Sequence, residues 1–190
     1  MIVRNVPNKI FSIKGTTVIK ADDDLIVTVT AMKNGAYTIA SQPLLPSRIT
    51  LTHAAASTVD TLGIVTIVGK FNGANITEVL TPTNGETVTS VNYFDTITSI
   101  TGSGWTAQAV ADNIKIGVGA VAKIPVMGRA ITFYNVSGNL WLNPLDVATA
   151  DSASFPMIAA GSIDLVAQDY LYVITDATGG SLKYIIWDLT

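Results

Sequence analysis

The chain of 190 residues contains no cysteine, a single histidine and few charged residues, which make up 13% of the sequence. Without cysteine, disulfide bonds and thiolate metal sites are excluded, and assembly in a cytoplasm is permitted. With His53 as the single histidine, one chain does not assemble a histidine-based zinc site. Glutamate, a strong helix former, occurs only as Glu78 and Glu86, so long surface helices are not expected.

The charge and hydropathy patterns exclude two further classes of partner. The formal net charge is −3 and the 11 lysines and arginines are scattered, so we expect no nucleic-acid-binding face. No apolar run reaches the roughly 18 residues that span a bilayer, and the first residues lack the apolar core of a signal peptide. Because the mean hydropathy is nevertheless positive, at +0.44, we expect partner proteins to cover some apolar surface.

Short runs of Ile, Val and Thr, separated by Gly, Asn and Pro, fill most of the chain. In residues 25–30 apolar side chains alternate with threonine, which is typical of a strand. Asn34-Gly35 predicts a tight turn that joins this strand to residues 36–40 as a hairpin. Asn72-Gly73 and Asn84-Gly85 predict two more turns. Further strands are predicted at residues 48–52, 64–69, 76–81, 86–91, 97–101, 113–118, 131–135, 140–142, 162–165, 170–174 and 182–189.

Many short strands with regularly spaced turns predict an all-β fold with two small antiparallel β-sandwich or barrel modules in tandem. We expect an N-terminal arm or first strands in residues 1–21, one module in residues 22–119 and a second in residues 120–190. The glycine- and alanine-rich segment 117–125 is interpreted as a linker or domain boundary. Two interpretations of residues 1–21 remain open: they form the first strands of the sandwich, or they form an arm that docks on a neighbouring subunit.

No pattern in the chain selects a catalytic, cofactor-binding or metal-binding residue, so we expect the protein not to be an enzyme. Nucleophilic catalysis would have to centre on His53, but no nucleophile elbow surrounds it, and we predict a surface or turn histidine. Asp22, Asp23 and Asp24 lack the spacing of a calcium loop and are predicted to form a solvated turn.

The aromatic residues allow two interpretations. Trp105, Trp141 and Trp187 either pack in the core or an interface, which we favour, or form an exposed platform that stacks on a glycan. The final strand, residues 182–189, is apolar on both faces, which indicates a central strand or one covered by another subunit. The candidate interface residues are Phe11, Ile13, Tyr184 and Trp187.

The order of the central runs resembles a module of the virion proteins of tailed bacteriophages. The runs that carry the resemblance are residues 49–52, 63–69, 72–73 leading into 76–81, 87–90, 94–101 and 116–119. The second half is also similar to phage particle proteins, through residues 131–135, 155–156, 160–161 and 169–173.

This resemblance implies a non-enzymatic structural component of a phage virion, assembled in the host cytoplasm. The role that we expect first is a capsid decoration (cement) protein that stabilises the head by binding across capsid subunits. Its partners would be the major capsid protein or other virion proteins, with no cofactor. A homo-oligomer is expected as well, and a trimer is a guess that no residue pattern fixes. The alternative is a tail-, neck- or fibre-associated module that binds a host receptor or glycan.

Overall fold

The computed structural model describes residues 10–56, 60–107, 112–143, 155–157, 161–166, 169–175 and 179–187. Over these residues the secondary structure consists of strands and turns, with no helix that is long and apolar enough to cross a membrane. The strands in chain order are β1 (Ile10–Ile19), β2 (Asp22–Ala31), β3 (Gly35–Ala36), β4 (Ser47–Ala54), β5 (Ile64–Phe71), β6 (Ala74–Leu80), β7 (Thr87–Phe94), β8 (Thr96–Ser103), β9 (Asn113–Pro125), β10 (Ala130–Ser137), β11 (Leu140–Asn143), β12 (Phe155–Met157), β13 (Ser162–Val166), β14 (Tyr170–Thr175) and β15 (Gly180–Trp187).

The predicted all-β class is confirmed, and the predicted strands between residues 48 and 187 are present with ends shifted by up to three residues, except that β9 continues seven residues beyond its predicted end. β4 and β5 show the alternation of buried and solvent-facing side chains that the sequence indicates, whereas β7 departs from it. The strand that the sequence did not predict is β12, which begins at the end of residues 146–156, a segment with the polar, alanine-rich composition typical of a loop. It is three residues long and contains Pro156, so it carries no usable alternation.

The chain divides into two compact units, one of Ala21–Ala120 and one that combines Met1–Lys20 with Val121–Thr190. The boundary lies between Ala120 and Val121, inside the segment 117–125 predicted as a linker or domain boundary, but this segment is part of the continuous strand β9 and is not a linker. Gly117 is required by close backbone approach, because a Cβ there would lie 1.8 Å from the carbonyl oxygen of Asp22. This glycine therefore marks tight packing of β9 against the start of β2.

The unit Ala21–Ala120 contains two antiparallel sheets. One joins β2, the first part of β9, β4 and β7, and the other has the order β3-β8-β5-β6. The sheets are open at their edges, in agreement with a sandwich-type fold. Their inward side chains form one core, made of Ile26, Val27, Met32, Tyr37, Ile49, Leu51, Val65, Ile67, Leu80, Phe94, Ile97, Ile100, Ile114, Ile116 and Val118.

The predicted hairpin across Asn34-Gly35 is wrong. β2 pairs with β9 in one sheet, while β3 pairs with β8 in the other. Gly35 does have the positive φ of 100° that a turn requires, but the turn moves the chain between sheets. Asn34 fixes this path, because its side-chain oxygen accepts the backbone N–H of Trp105 at 3.0 Å and its amide donates to the Trp105 carbonyl at 2.9 Å.

The other unit has the sheet β1-β15-β10-β13 and a second sheet in which the last part of β9 pairs with β14, followed by β11 and β12. β15 lies between β1 and β10, which confirms the interpretation of the final strand as central. Residues 10–19 pair with β15 of the same chain, as the first-strand interpretation expects, and they belong with the C-terminal unit. The ring of Phe133 stacks on Tyr184 with centroids 5.7 Å apart.

Candidate functional site

His53 lies in the interior of the unit Ala21–Ala120, where it joins three segments of backbone. Its Nε2 lies 2.8 Å from the carboxylate of Asp112, and both side chains are buried. The second carboxylate oxygen of Asp112 accepts the N–H of Ala56 at 2.6 Å. The N–H of Gly85 donates to His53 Nδ1 at 3.2 Å. The end of β4, the turn before β7 and the start of β9 are thereby held together.

The hydrogen bonds fix the chemistry of the ring. Because Nδ1 accepts the Gly85 N–H, that nitrogen carries no proton, and the proton resides on Nε2 and is donated to Asp112. A catalytic base needs a ring nitrogen within reach of a substrate or nucleophile proton. Both nitrogens of His53 are engaged with the protein itself and the residue is 1% exposed, so the geometry is that of a structural clamp.

The prediction of a surface or turn histidine is therefore wrong. His53 is an inward residue of β4, on the same face as Ile49 and Leu51. The period-two pattern continues through this position and could have indicated burial. The partner Asp112 lies 59 positions away in the chain, and no local pattern relates the two.

A second polar constellation shapes β7 where its pairing with β4 is interrupted. The register shifts between Arg48 and Thr50, and the extra residues of β7 form a bulge. The Ser90 hydroxyl fills the gap in the ladder, since it accepts the Ile49 N–H at 2.8 Å and donates to the Asn92 carbonyl at 2.7 Å. The irregular backbone is thus hydrogen-bonded from its inner side.

Glu78 of β6 holds the same bulge from its outer side. Its carboxylate accepts the N–H of Val91 at 2.6 Å, and it accepts the N–H and the side-chain amide of Asn92 at 2.9 Å each. Between these anchors the side chain of Val91 is 76% exposed, the highest value among the large hydrophobic residues that the structure describes. We call residues 90–92 with Glu78 the Val91 bulge.

The two tryptophans whose side chains the structure describes, Trp105 and Trp141, do not present the exposed platform that a glycan site would need. Trp105 is half-buried and packs against the core of its unit, and Trp141 of β11 is also half-buried. The side chain of Trp187 lies outside the described part of the chain. Packing is therefore the role of the two rings that the structure describes.

Asp22, Asp23 and Asp24 are exposed, and their carboxylate oxygens lie within 4.8 Å of one another. Asp23 forms an ion pair with Lys115. The pKa of Asp24 is raised, chiefly by its side-chain hydrogen bond with Asp22, and also by desolvation and by the neighbouring negative charges. The solvated position is as predicted, although the residues begin β2 instead of forming a turn. An exposed acidic cluster of this kind does not by itself indicate a metal site.

The four candidate interface residues lie on two paired strands. Phe11 and Ile13 are in β1, and Tyr184 and Trp187 are in β15. The Tyr184 side chain is 8% exposed and stacks on Phe133, so most of its surface is used inside its own unit. The side chains of Phe11, Ile13 and Trp187 lie outside the described residues. An interface role for these residues stays a prediction.

Comparisons with known proteins give little guidance to the function. No family model matches the chain, and no curated protein matches it. Among solved structures, the regulatory domain of Toxoplasma gondii PKA in a co-crystal with cAMP is similar over 92% of this chain and 78% of its own. The sequence identity is 7% and the TM-score is 0.22, values at which the likeness carries no argument about fold or function.

Proposed function

We propose that this protein is a non-enzymatic structural component of a tailed-bacteriophage virion, and that it decorates the capsid by binding across neighbouring capsid subunits. The sequence resemblance suggests the virion class. The observation that supports a binding role most directly is the Val91 bulge, an exposed apolar side chain on a backbone anchored from both sides.

A rigid apolar projection suits a decoration protein for an energetic reason. Ordering a mobile loop on binding costs free energy, and a backbone that is already fixed avoids most of that cost. Complete burial of a valine side chain contributes roughly 1.5 kcal/mol or more, and Val91 is 76% exposed before binding. Repeated over many copies on a shell, a contribution of this size stabilises the particle against internal pressure.

His53 has a supporting part in this proposal. The clamp that it forms with Asp112 and Gly85 fixes the turn that leads into β7, the strand that carries the bulge. We assign it no catalytic step, because both ring nitrogens are engaged within the protein. The polar residues of this unit thus serve to hold its backbone in place for contact with a partner.

The experiment is co-sedimentation of the purified protein with phage heads that lack it. We expect the wild type to sediment with the heads and Val91→Asp to bind at least about tenfold more weakly, the equivalent of about 1.4 kcal/mol. Val29→Asp is the matched control, because Val29 is also a valine on an exposed strand position of the same unit, 60% exposed. It should bind like the wild type.

Each outcome decides a separate point. Failure of the wild type to bind heads would contradict the decoration role, and binding to isolated tails instead would favour the tail-associated alternative. Equal binding by Val91→Asp and the wild type would show that the contact surface lies elsewhere.

A further inference from the structure

β6 is a regular edge strand whose outer side is open to pairing with another strand. It is the last strand of the sheet β3-β8-β5-β6, and its seven residues pair with β5 in an unbroken register. Its hairpin with β5 turns at Asn72 and Gly73, both with positive φ. In such a two-residue hairpin Phe71 and Ala74 exchange hydrogen bonds, and bonded pairs then recur at every second residue.

This parity determines which backbone groups of β6 face outward. Ile76, Glu78 and Leu80 are bonded to β5, whereas the N–H and C=O groups of Asn75 and Thr77 and Val79 point away from it. The side chains of these three residues are exposed, and within the described part of the chain no backbone hydrogen bond engages them.

The other edge strands of the unit Ala21–Ala120 have features that hinder pairing with a further strand, and β6 lacks these features. β3 has two residues, and the pairing of β2 is interrupted at Val27. β7 carries the bulge whose N–H groups are taken by Glu78. Bulges, short strands and charges are the usual devices that keep an edge from pairing. β6 has no bulge and no proline, and its single charge, Glu78, is engaged with β7.

We propose that β6 is a homotypic contact, at which it pairs antiparallel with β6 of a second copy of this chain about a two-fold axis through Thr77. In this register Asn75 faces Val79 of the second copy and Thr77 faces its counterpart. All three outward residues then take part, with about six new backbone hydrogen bonds. The inference concerns copies of this chain and does not depend on the proposed virion role.

Register and charge select this axis over its neighbours. If the axis is moved by one residue, two hydrogen-bonded pairs of outward residues form in place of three. An axis at residue 78 also places Glu78 opposite Glu78 of the second copy. Like charges directly opposite each other on paired strands are destabilising. With the axis at Thr77, Glu78 faces Ile76 of the second copy and no charge faces itself. A two-fold contact also differs from the trimer guessed above, since an isologous interface closes as a dimer.

The position of Thr77 on the axis gives a specific test by sedimentation equilibrium of the full chain. We expect the wild type at twice the monomer mass of 20.0 kDa. Thr77→Lys and Thr77→Asp should each sediment as monomers, because each places a charge opposite itself. An equimolar mixture of the two should recover the dimer, because Lys then faces Asp. Recovery also shows that both variants are folded.

Thr101→Lys is the control. Thr101 is exposed in β8, between β3 and β5, and therefore carries the same change on a strand without an open edge. It should remain dimeric. A wild-type monomer or trimer would overturn the proposal, and so would Thr77 variants that stay dimeric alone or stay monomeric when mixed.

Discussion

Removal of the Asp112 carboxylate is the sharpest test of the histidine clamp. Asp112→Ala deletes the acceptor of the buried His53 Nε2–H, at 2.8 Å, and of the part-buried Ala56 N–H, at 2.6 Å. The backbone bond from the Met32 N–H to the Asp112 carbonyl, at 2.7 Å, does not depend on the side chain and is retained. The perturbation is therefore confined to the carboxylate and its partners.

The expected loss follows from these two contacts. A hydrogen bond to a charged group contributes about 1.5–3 kcal/mol, and a buried donor left without an acceptor carries its full desolvation cost. The loss of the buried His53 bond and the part-buried Ala56 bond gives a decrease of about 3 kcal/mol in the free energy of unfolding. Asp112→Asn keeps one acceptor oxygen and turns its amide N–H₂ toward the other donor, so we expect about half that loss.

The assay is equilibrium urea unfolding that reports on the unit Ala21–Ala120. The chain has three tryptophans, so a background of Trp141→Phe and Trp187→Phe leaves Trp105, which packs against the core of this unit, as the fluorescent reporter. Asp23→Ala is the control, because Asp23 is an exposed carboxylate paired with Lys115 and such pairs contribute little. A loss below about 1 kcal/mol for Asp112→Ala, indistinguishable from the control, would refute the clamp.

Three further predictions concern single residues. Gly117→Ala should lower the free energy of unfolding by about 2 kcal/mol or more, because its Cβ would collide with Asp22, whereas Gly119→Ala, with 3.7 Å of space, should change little in the same urea assay. Glu78→Ala should lower the free energy of unfolding by about 1–3 kcal/mol, because the hydrogen bonds that hold the Val91 bulge are lost. In hydrogen-exchange measurements, the backbone amides of Val91 and Asn92 should then exchange their hydrogens faster. Folding raises the pKa of the Asp24 carboxyl above its ordinary value of 3.8. Ionisation of Asp24 is therefore less favourable in the folded state than in the unfolded state, and the protein loses stability as the pH rises through the pKa of the folded state. Asp24→Asn should therefore raise Tm at pH 7 but not at pH 3, and an equal effect at both would contradict the assignment.

The elements of the fold follow from local pattern, while their pairing does not. Alternation of Ile or Val with Thr is enough to place β4 and β5, because an inward and an outward face are visible in the sequence itself. Asn34-Gly35 has the composition of a hairpin turn, but the bonds between Asn34 and Trp105 connect residues 71 positions apart. Tertiary contacts of this kind override turn propensity.

The polar contacts of the candidate site are harder to predict from the sequence than the strands are. The burial of His53 follows from the alternation along β4, but its pairing with Asp112 depends on how β4 and β9 meet. The Val91 bulge depends on Ser90 and Glu78, two common polar residues whose positions become meaningful only once β6 and β7 lie side by side. The strands can therefore be predicted from the sequence, whereas the polar contacts that shape their surface depend on the tertiary structure.

The most direct test of the proposed function is the position of this protein in the particle, determined by cryo-EM of purified virions together with immunogold labelling. The account predicts many copies distributed over the head shell, with density that bridges neighbouring capsid subunits. A few copies confined to the neck, the tail or one vertex would contradict the decoration role, and absence of the protein from purified virions would contradict a structural role in the virion altogether.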